Sequence, residues 1–233
     1  MAGVWVSWNV RGLGRAEKRK AIRLELDKLK PEVILLQETK LNEGREELLG
    51  GWIREKQLEA CSILAVHAAG GLLTLWRKDK FRCDQVVRGD GFFLVVLSLI
   101  NTEGVCVVCN VYGPHDSRER GHMFEELGLA LEGRVGRVVF GGDFNAILND
   151  GEKQGAGGDT LGDPSFKEFV SNQYLIDLPM LNGDHTWGST RNEGLWSRLD
   201  RWLINEEALL GFDGVVQIAQ DWGLSDHRAV VLN

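Results

Sequence analysis

Between residues 138 and 145 the chain runs Val138-Val139-Phe140-Gly141-Gly142-Asp143-Phe144-Asn145, an apolar stretch driven into two glycines and then into an acid and an amide. A short apolar run closed by glycine predicts a buried strand, and the glycines allow a sharp turn at its end. Asp143 and Asn145 stand two positions apart, so in extended chain they share a face. An acid and an amide at the mouth of a rigid strand can hold a hard cation, or a water beside a phosphate. The same letters also spell an ordinary Asx turn. The stretch alone therefore does not decide function, and the other strand ends must be compared with it.

Those ends repeat the theme. Val4–Val10 alternates and is β-rich, with Asn9 near its end and Arg11-Gly12 just beyond. A helix is predicted from about Arg15 to Lys30, with Ile22, Leu26 and Leu29 on one face and Pro31 as its stop. Its other face carries Arg15, Lys18, Arg19, Lys20 and Arg23 and reads as solvated, leaving Arg11 and Arg15 as the better phosphate contacts. Val33–Leu36 is continuously apolar, as in a strand buried on both sides, and it runs into Gln37-Glu38-Thr39. Residues 42–60 read as helical or irregular. Strands follow near Ser62–Val66, Leu72–Trp76, Val86 and Phe92–Ile100, then Gly104–Val111 running into Tyr112-Gly113-Pro114-His115. A helix with Ser117 as N-cap is expected to about Glu132, the central strand at Val135–Phe140, and a helix opened by Pro164. Residues 149–163 look linker-like, but strand patterning resumes after them. Thr186-Trp187 and Ser197–Ile204 read as two strands joined by a protruding loop, Gly188–Gly194, and Ala229–Leu232 as the last strand.

Two runs of strands with helices interleaved predict one α/β domain over residues 1–233, two sheets packed face to face with helices outside. No apolar run is long enough for a membrane helix, and the N-terminus lacks a signal-peptide pattern, which points to the nucleus or cytoplasm. Net charge is −7, so a nonspecific nucleic-acid coat is disfavoured, while a carboxylate-built site offset by metal is not. Cys106 and Cys109 form a C-x-x-C within a strand, where odd spacing sends them to opposite faces. Buried, reduced thiols are the expectation for the four cysteines. The eight tryptophans are too many for all to be internal.

In sequence order the chain carries Trp8-Asn9-Val10-Arg11-Gly12-Leu13, Leu36-Gln37-Glu38-Thr39, Asn110-Val111-Tyr112-Gly113-Pro114, Gly142-Asp143-Phe144-Asn145, Ser197-Arg198-Leu199-Asp200-Arg201 and Ser225-Asp226-His227. The set resembles the endonuclease/exonuclease/phosphatase superfamily, which includes deoxyribonuclease I, apurinic endonucleases and inositol polyphosphate 5-phosphatases. Within it, Trp8–Gly14, Thr186-Trp187 and Ser197–Arg201 look most like the endonuclease domain of plant LINE-type (non-LTR) retrotransposons. The resemblance implies a four-layer α/β sandwich of two mostly antiparallel sheets with the site at one rim. It also implies Mg²⁺-dependent hydrolysis of double-stranded DNA, with Mn²⁺ as the alternative ion, leaving a 3′-hydroxyl. Such elements encode a reverse transcriptase downstream. This chain stops after the final strand, as an excised domain or an orphan copy would.

A phosphodiester is a poor, anionic electrophile, so a cation should neutralise it and the leaving alkoxide. By resemblance Glu38 is the main metal ligand, with Asp226 and Asn9 nearby. Asp143 orients or deprotonates the attacking water, and Asn145 holds water or phosphate oxygen. His227 contacts the phosphate, Asp200 fixes its tautomer, and Tyr112 hydrogen-bonds a phosphate oxygen. Arg11, Thr186, Trp187 and Ser225 line the substrate. Arg191 and Asn192 lie on the hairpin that, by resemblance, enters the minor groove, where shape and deformability outweigh base reading. Each residue also has an ordinary structural role open to it; Asp200, for one, could pair with Arg198 or Arg201. His67, His115, His122 and His185 are assigned to structure or surface. The alternatives are a phosphatase of the same fold acting on inositol or other phosphoesters, and a catalytically silent relic that binds DNA or a partner.

Overall fold

Alternate side chains of the first strand, β1 (Trp5–Asn9), enter different cores: Trp5 packs on one side, Val6 and Trp8 on the other. The computed structural model describes residues 3–42, 46–65, 70–155, 162–189, 194–212 and 214–233. After β1 come α1 (Ala16–Leu29), β2 (Val33–Gln37), α2 (Gly50–Glu55), β3 (Leu58–Ile63) and β4 (Leu72–Arg77). β5 (Phe81–Gly89), β6 (Phe92–Leu99), β7 (Val105–Tyr112), α3 (Ser117–Leu131) and β8 (Arg137–Asp143) follow. The remainder is β9 (Lys153–Gln154), α4 (Pro164–Asn172), β10 (Ile176–Asp177), β11 (Trp187–Gly188), β12 (Trp196–Ser197), β13 (Asp200–Ile204), α5 (Glu206–Gly211), β14 (Gln217–Ala219) and β15 (Val230–Leu232).

Two mixed six-stranded sheets result, ordered β14-β15-β1-β2-β4-β3 and β10-β13-β8-β7-β6-β5, beside a small sheet β11-β12-β9. Each large sheet has one parallel pair, β1 with β2 and β7 with β8, joined through α1 and α3; the other pairings are antiparallel. Three apolar cores separate the layers. Trp5, Leu35, Phe93, Val95, Val139 and Trp202 fill the space between the sheets. Ile22, Leu26 and Trp52 cover the outer face of the first sheet, and Phe124, Leu127, Phe166 and Phe169 that of the second. Helix, sheet, sheet, helix is the expected sandwich. Trp5 meets Phe81, Trp202 and Phe212 edge-on at 6.1, 6.2 and 5.4 Å, so its removal should cost about 3–5 kcal/mol. Both parallel pairs finish at one rim, and this brings Asn9, Glu38, Tyr112 and Asp143 together.

Several expectations need correcting. β8 does not end at its glycines: it runs through them to Asp143. A Cβ on Gly141 would meet the Trp202 ring at 2.6 Å, and one on Gly142 the Val111 carbonyl oxygen at 2.1 Å. These glycines permit close packing rather than a turn. Asp116, not Ser117, caps α3, accepting from the Arg118 and Glu119 amides at 2.9 and 3.2 Å. Ser197–Ile204 is two strands in different sheets, because the chain breaks at Arg198-Leu199. β3 starts earlier than predicted and ends at Ile63, while Val66 lies outside the described residues. Residues 205–224, to which the sequence assigned nothing, hold α5 and β14. Cys106 and Cys109 do enter opposite cores, and all four cysteines are free.

Candidate active site

Asn9 ends β1 fully buried, and its amide nitrogen donates to Glu38 Oε1 at 3.0 Å and to Asp143 Oδ2 at 2.9 Å. One carboxamide thus ties an acid from the first sheet to an acid from the second. Its oxygen accepts from the Arg11 backbone amide at 3.1 Å, which fixes its orientation. The backbone around it is unusual. Arg11, Glu38, Lys40 and Asn145 have left-handed φ of 47°, 46°, 51° and 47°. Such residues cost of order 1–3 kcal/mol each and cluster where function demands a fixed geometry.

On the first-sheet side, the Arg11 guanidinium donates to Glu38 Oε1 at 2.8 Å and to Asp226 Oδ1 at 2.9 Å. Lys40 Nζ stands 3.4 Å from Glu38 Oε2, and the Tyr112 hydroxyl lies near enough to favour the ionised form of the same carboxylate. Burial alone would raise the Glu38 carboxyl, but Asn9, Arg11, Tyr112 and Lys40 hold it below its ordinary value. Asp226 is held down likewise: burial is outweighed by Arg11, His227 and the Trp187 indole, which donates at 3.3 Å. Ser225 Oγ donates to the Asn9 carbonyl at 2.8 Å and accepts from the His227 amide at 3.2 Å.

On the second-sheet side, His227 Nδ1 lies 2.8 Å from Asp200 Oδ2 and its Nε2 faces Asp143 Oδ2 at 3.7 Å, beyond hydrogen-bond length. Burial would lower the imidazole, yet Asp200, Asp143 and Asp226 raise it to about 9; burial raises Asp200 to about 6. The pair is therefore imidazolium and carboxylate at neutral pH, with Nε2–H aimed at Asp143. Thr186 Oγ accepts from the Leu199 and Asp200 amides at 3.0 and 2.9 Å. Asn145 closes an Asx turn, its amide N–H donating to Asp143 Oδ1 at 3.0 Å, and its side chain anchors to the Gly113 carbonyl at 2.6 Å. The Asx-turn reading of Gly-Asp-x-Asn thus holds, and Asn145 reaches its place through a left-handed backbone rather than the extended one expected.

Asn9, Arg11, Glu38, Tyr112, Asp143, Asn145, Thr186, Trp187, Asp200, Ser225, Asp226 and His227 therefore share one rim. Arg191 and Asn192 lie outside the described residues, as does His67. Three members escaped the sequence. Lys40 reaches Glu38, and the Trp8 indole donates to the His227 carbonyl at 3.1 Å. Lys18, read as solvated, donates to the Arg11 carbonyl at 3.3 Å and lines the cleft. That cleft, about 700 Å³, is walled by Arg11, Lys18, Trp187, Leu224, Ser225 and Asp226. A separate groove of about 490 Å³ between α3 and α4 contains none of the rim residues.

A model of the Endonuclease/Exonuclease/phosphatase family matches residues 6–227. The chain belongs to this family. No curated relative matches it in sequence. Among solved structures, it is similar to an AP endonuclease from Leishmania major, with 17% identity and a TM-score of 0.74 over 99% of this chain and 86% of that one. An AP endonuclease from Archaeoglobus fulgidus matches with 18% identity and a TM-score of 0.76, covering 100% and 99%. A 3′ phosphatase from Neisseria bound to product DNA hairpin has 15% identity and a TM-score of 0.76, covering 100% and 99%. At these identities the likeness establishes the fold. No helix among the described residues is long and apolar enough to cross a membrane.

Two acid groups of this family member could take a cation. Asp143, Asp200 and His227 offer ligand atoms within 4.8 Å of one another. There a cation would compete with the proton that the surrounding acids favour on His227, whose Nδ1 already lies 2.8 Å from Asp200 Oδ2. Glu38 and Asp226 fit better. Both are held ionised, and both already converge on a single positive group, the Arg11 guanidinium. Hard carboxylate oxygens of that kind suit Mg²⁺ or Mn²⁺.

Proposed function

We propose that the chain is a metal-dependent DNA endonuclease that nicks a phosphodiester and leaves a 3′-hydroxyl, the target-nicking domain of a LINE-type retrotransposon. The observation that carries this reading is the Asn9 bridge, 3.0 Å to Glu38 and 2.9 Å to Asp143, which ties the two acids together; in this reading the first holds the cation and the second orients the water. Glu38, Asp226 and Asn9 would hold Mg²⁺, or Mn²⁺ in its place. The ion would supply neutralisation of the phosphate and the leaving alkoxide.

The remaining roles follow from proton positions. The acids around His227 favour its protonated form, so His227 is assigned to donate from Nε2 to a phosphate oxygen, with Asp200 at 2.8 Å fixing the ring. Asp143, oriented by Asn9 and by the Asn145 amide, takes the proton from the attacking water. Asn145 holds the phosphate side of that water. The Tyr112 hydroxyl turns from Glu38 to the phosphate as charge develops. Arg11, Thr186, Trp187 and Ser225 bound the cleft through which duplex DNA approaches, with the hairpin bearing Arg191 and Asn192 entering the minor groove. AP endonucleases and a phosphatase bound to a DNA hairpin among the fold neighbours support DNA as the substrate class. The LINE assignment is supported by Trp8–Gly14, Thr186-Trp187 and Ser197–Arg201, and under it a reverse transcriptase would be the working partner, in the nucleus or cytoplasm.

Incubating supercoiled plasmid with the protein and Mg²⁺ tests this. Nicking that EDTA stops, with ends a polymerase extends, is the expected result. A folded protein that leaves plasmid intact but releases phosphate from 3′-phosphorylated DNA or inositol phosphates would replace the endonuclease with a phosphatase.

A further inference from the structure

Glu38 is already engaged by the protein's own donors. Its Oε1 accepts from Asn9 at 3.0 Å and from Arg11 at 2.8 Å, Lys40 lies 3.4 Å from Oε2, and Tyr112 also holds its carboxyl down. Asp226 in turn accepts from Arg11 at 2.9 Å and from Trp187 at 3.3 Å. The one group common to both acids is the Arg11 guanidinium, which spans them where a divalent cation would lie. A guanidinium and a divalent ion cannot share that space, since like charges at contact distance repel strongly.

We propose that Arg11 is an exchangeable internal counterion: its guanidinium closes the Glu38–Asp226 pair in the free protein and competes directly with the metal for it. This rests on the metal reading above. The backbone is built for such an exchange. Val10, Gly12 and Leu13 donate to the carbonyls of Gln37, Glu38 and Thr39 at 3.0, 2.7 and 2.8 Å, so the loop stays pinned to the end of β2. Only the side chain need rotate, and it is 32% exposed at the wall of a cleft of about 700 Å³. A DNA phosphate entering that cleft would offer the planar fork an equivalent partner.

The test is Mn²⁺ binding to the DNA-free protein, read from the electron paramagnetic resonance of unbound Mn²⁺. Compared with wild type, Arg11→Gln should bind Mn²⁺ at least about tenfold tighter, because two charge-assisted hydrogen bonds no longer have to break. Arg11→Lys, which keeps the charge but loses the fork, should fall between them. Glu38→Gln should abolish binding. In EDTA Arg11→Gln should melt below wild type, and saturating Mn²⁺ should close the gap. Equal or weaker Mn²⁺ affinity in both Arg11 variants, with Glu38→Gln still abolishing binding, would overturn the counterion proposal alone. Wild-type affinity in Glu38→Gln would instead remove the metal reading itself. Should Arg11→Gln fail to fold, Arg11→Lys decides: tighter binding supports the exchange and unchanged binding overturns it.

Discussion

Among the described residues two clusters clamp a pair of carboxylates with arginine, and the two clamps differ in what surrounds them. Arg201 is wholly buried. Its Nη1 donates to Glu152 at 3.0 Å and Asp177 at 2.9 Å, its Nη2 to Glu152 at 2.8 Å and the Arg198 carbonyl at 2.7 Å, and its guanidinium lies 5.4 Å over Phe166. Arg198 completes the set, reaching Asp177 at 2.8 Å and Glu152 at 3.4 Å. Two cations and two anions cancel, and protein walls them in. Arg11 makes one contact with each of its acids and stands at an open cleft. A walled clamp of two cations and two anions holds structure together; an open one can trade its cation. Asp200 and Arg201, neighbours on β13, divide the molecule accordingly, since adjacent strand residues face opposite ways. Asp200 serves His227, and Arg201 serves the clamp.

The largest difference should appear in activity. Glu38→Ala should lower plasmid nicking by about 10³-fold or more, and His227→Ala by about 10²–10⁴-fold, while circular dichroism and melting in EDTA change little. Normal nicking by either variant would move the chemistry away from this rim. Next comes Arg201→Ala, which leaves the buried Glu152 and the half-buried Asp177 with Arg198 as their paired cation; urea titration should register a loss of about 3–5 kcal/mol. A loss below about 1 kcal/mol would mean that the clamp is not structural.

Acid should separate the clamps further. Burial alone would raise the Glu152 carboxyl, but Arg201 and Arg198 hold it below its ordinary value. A depressed carboxyl contributes stability above its unfolded value, and that contribution is lost as pH falls through the depressed one. Stability should therefore drop below about pH 4.5, and Glu152→Gln, already weaker at neutral pH, should show a shallower acid limb; parallel limbs would contradict the assignment. The smallest effect belongs to the open clamp. Arg11→Gln in EDTA should cost no more than about 1 kcal/mol, as half-exposed ion pairs do.

The rim was readable in advance because its residues sit at strand ends in short fixed spacings, Asn9 through His227, and because sheets bring strand ends together. The Glu152–Asp177–Arg198–Arg201 clamp was not: its acids come from a loop and a two-residue strand with no spacing to announce them. Glu152 lies in a stretch that reads as linker, yet it is buried and accepts from the Leu148 amide at 2.7 Å. Strands of two or three residues, such as β9 to β12 and β14, carry too few alternations for periodicity to register. Gly141 and Gly142 misled for a related reason, since composition does not say whether a glycine turns the chain or admits a neighbour. Lys18 and Lys40 look like any surface lysines until the loops around Arg11 and Glu38 are folded.

The account turns on one comparison made on the same samples: plasmid nicking with Mg²⁺ and urea stability in EDTA for Glu38→Gln and Glu152→Gln. It predicts that Glu38→Gln loses nicking and keeps its stability, whereas Glu152→Gln loses stability and still nicks at a temperature where it is folded. Nicking retained by Glu38→Gln, or abolished in a folded Glu152→Gln, would contradict the division between an exchangeable site and a fixed clamp.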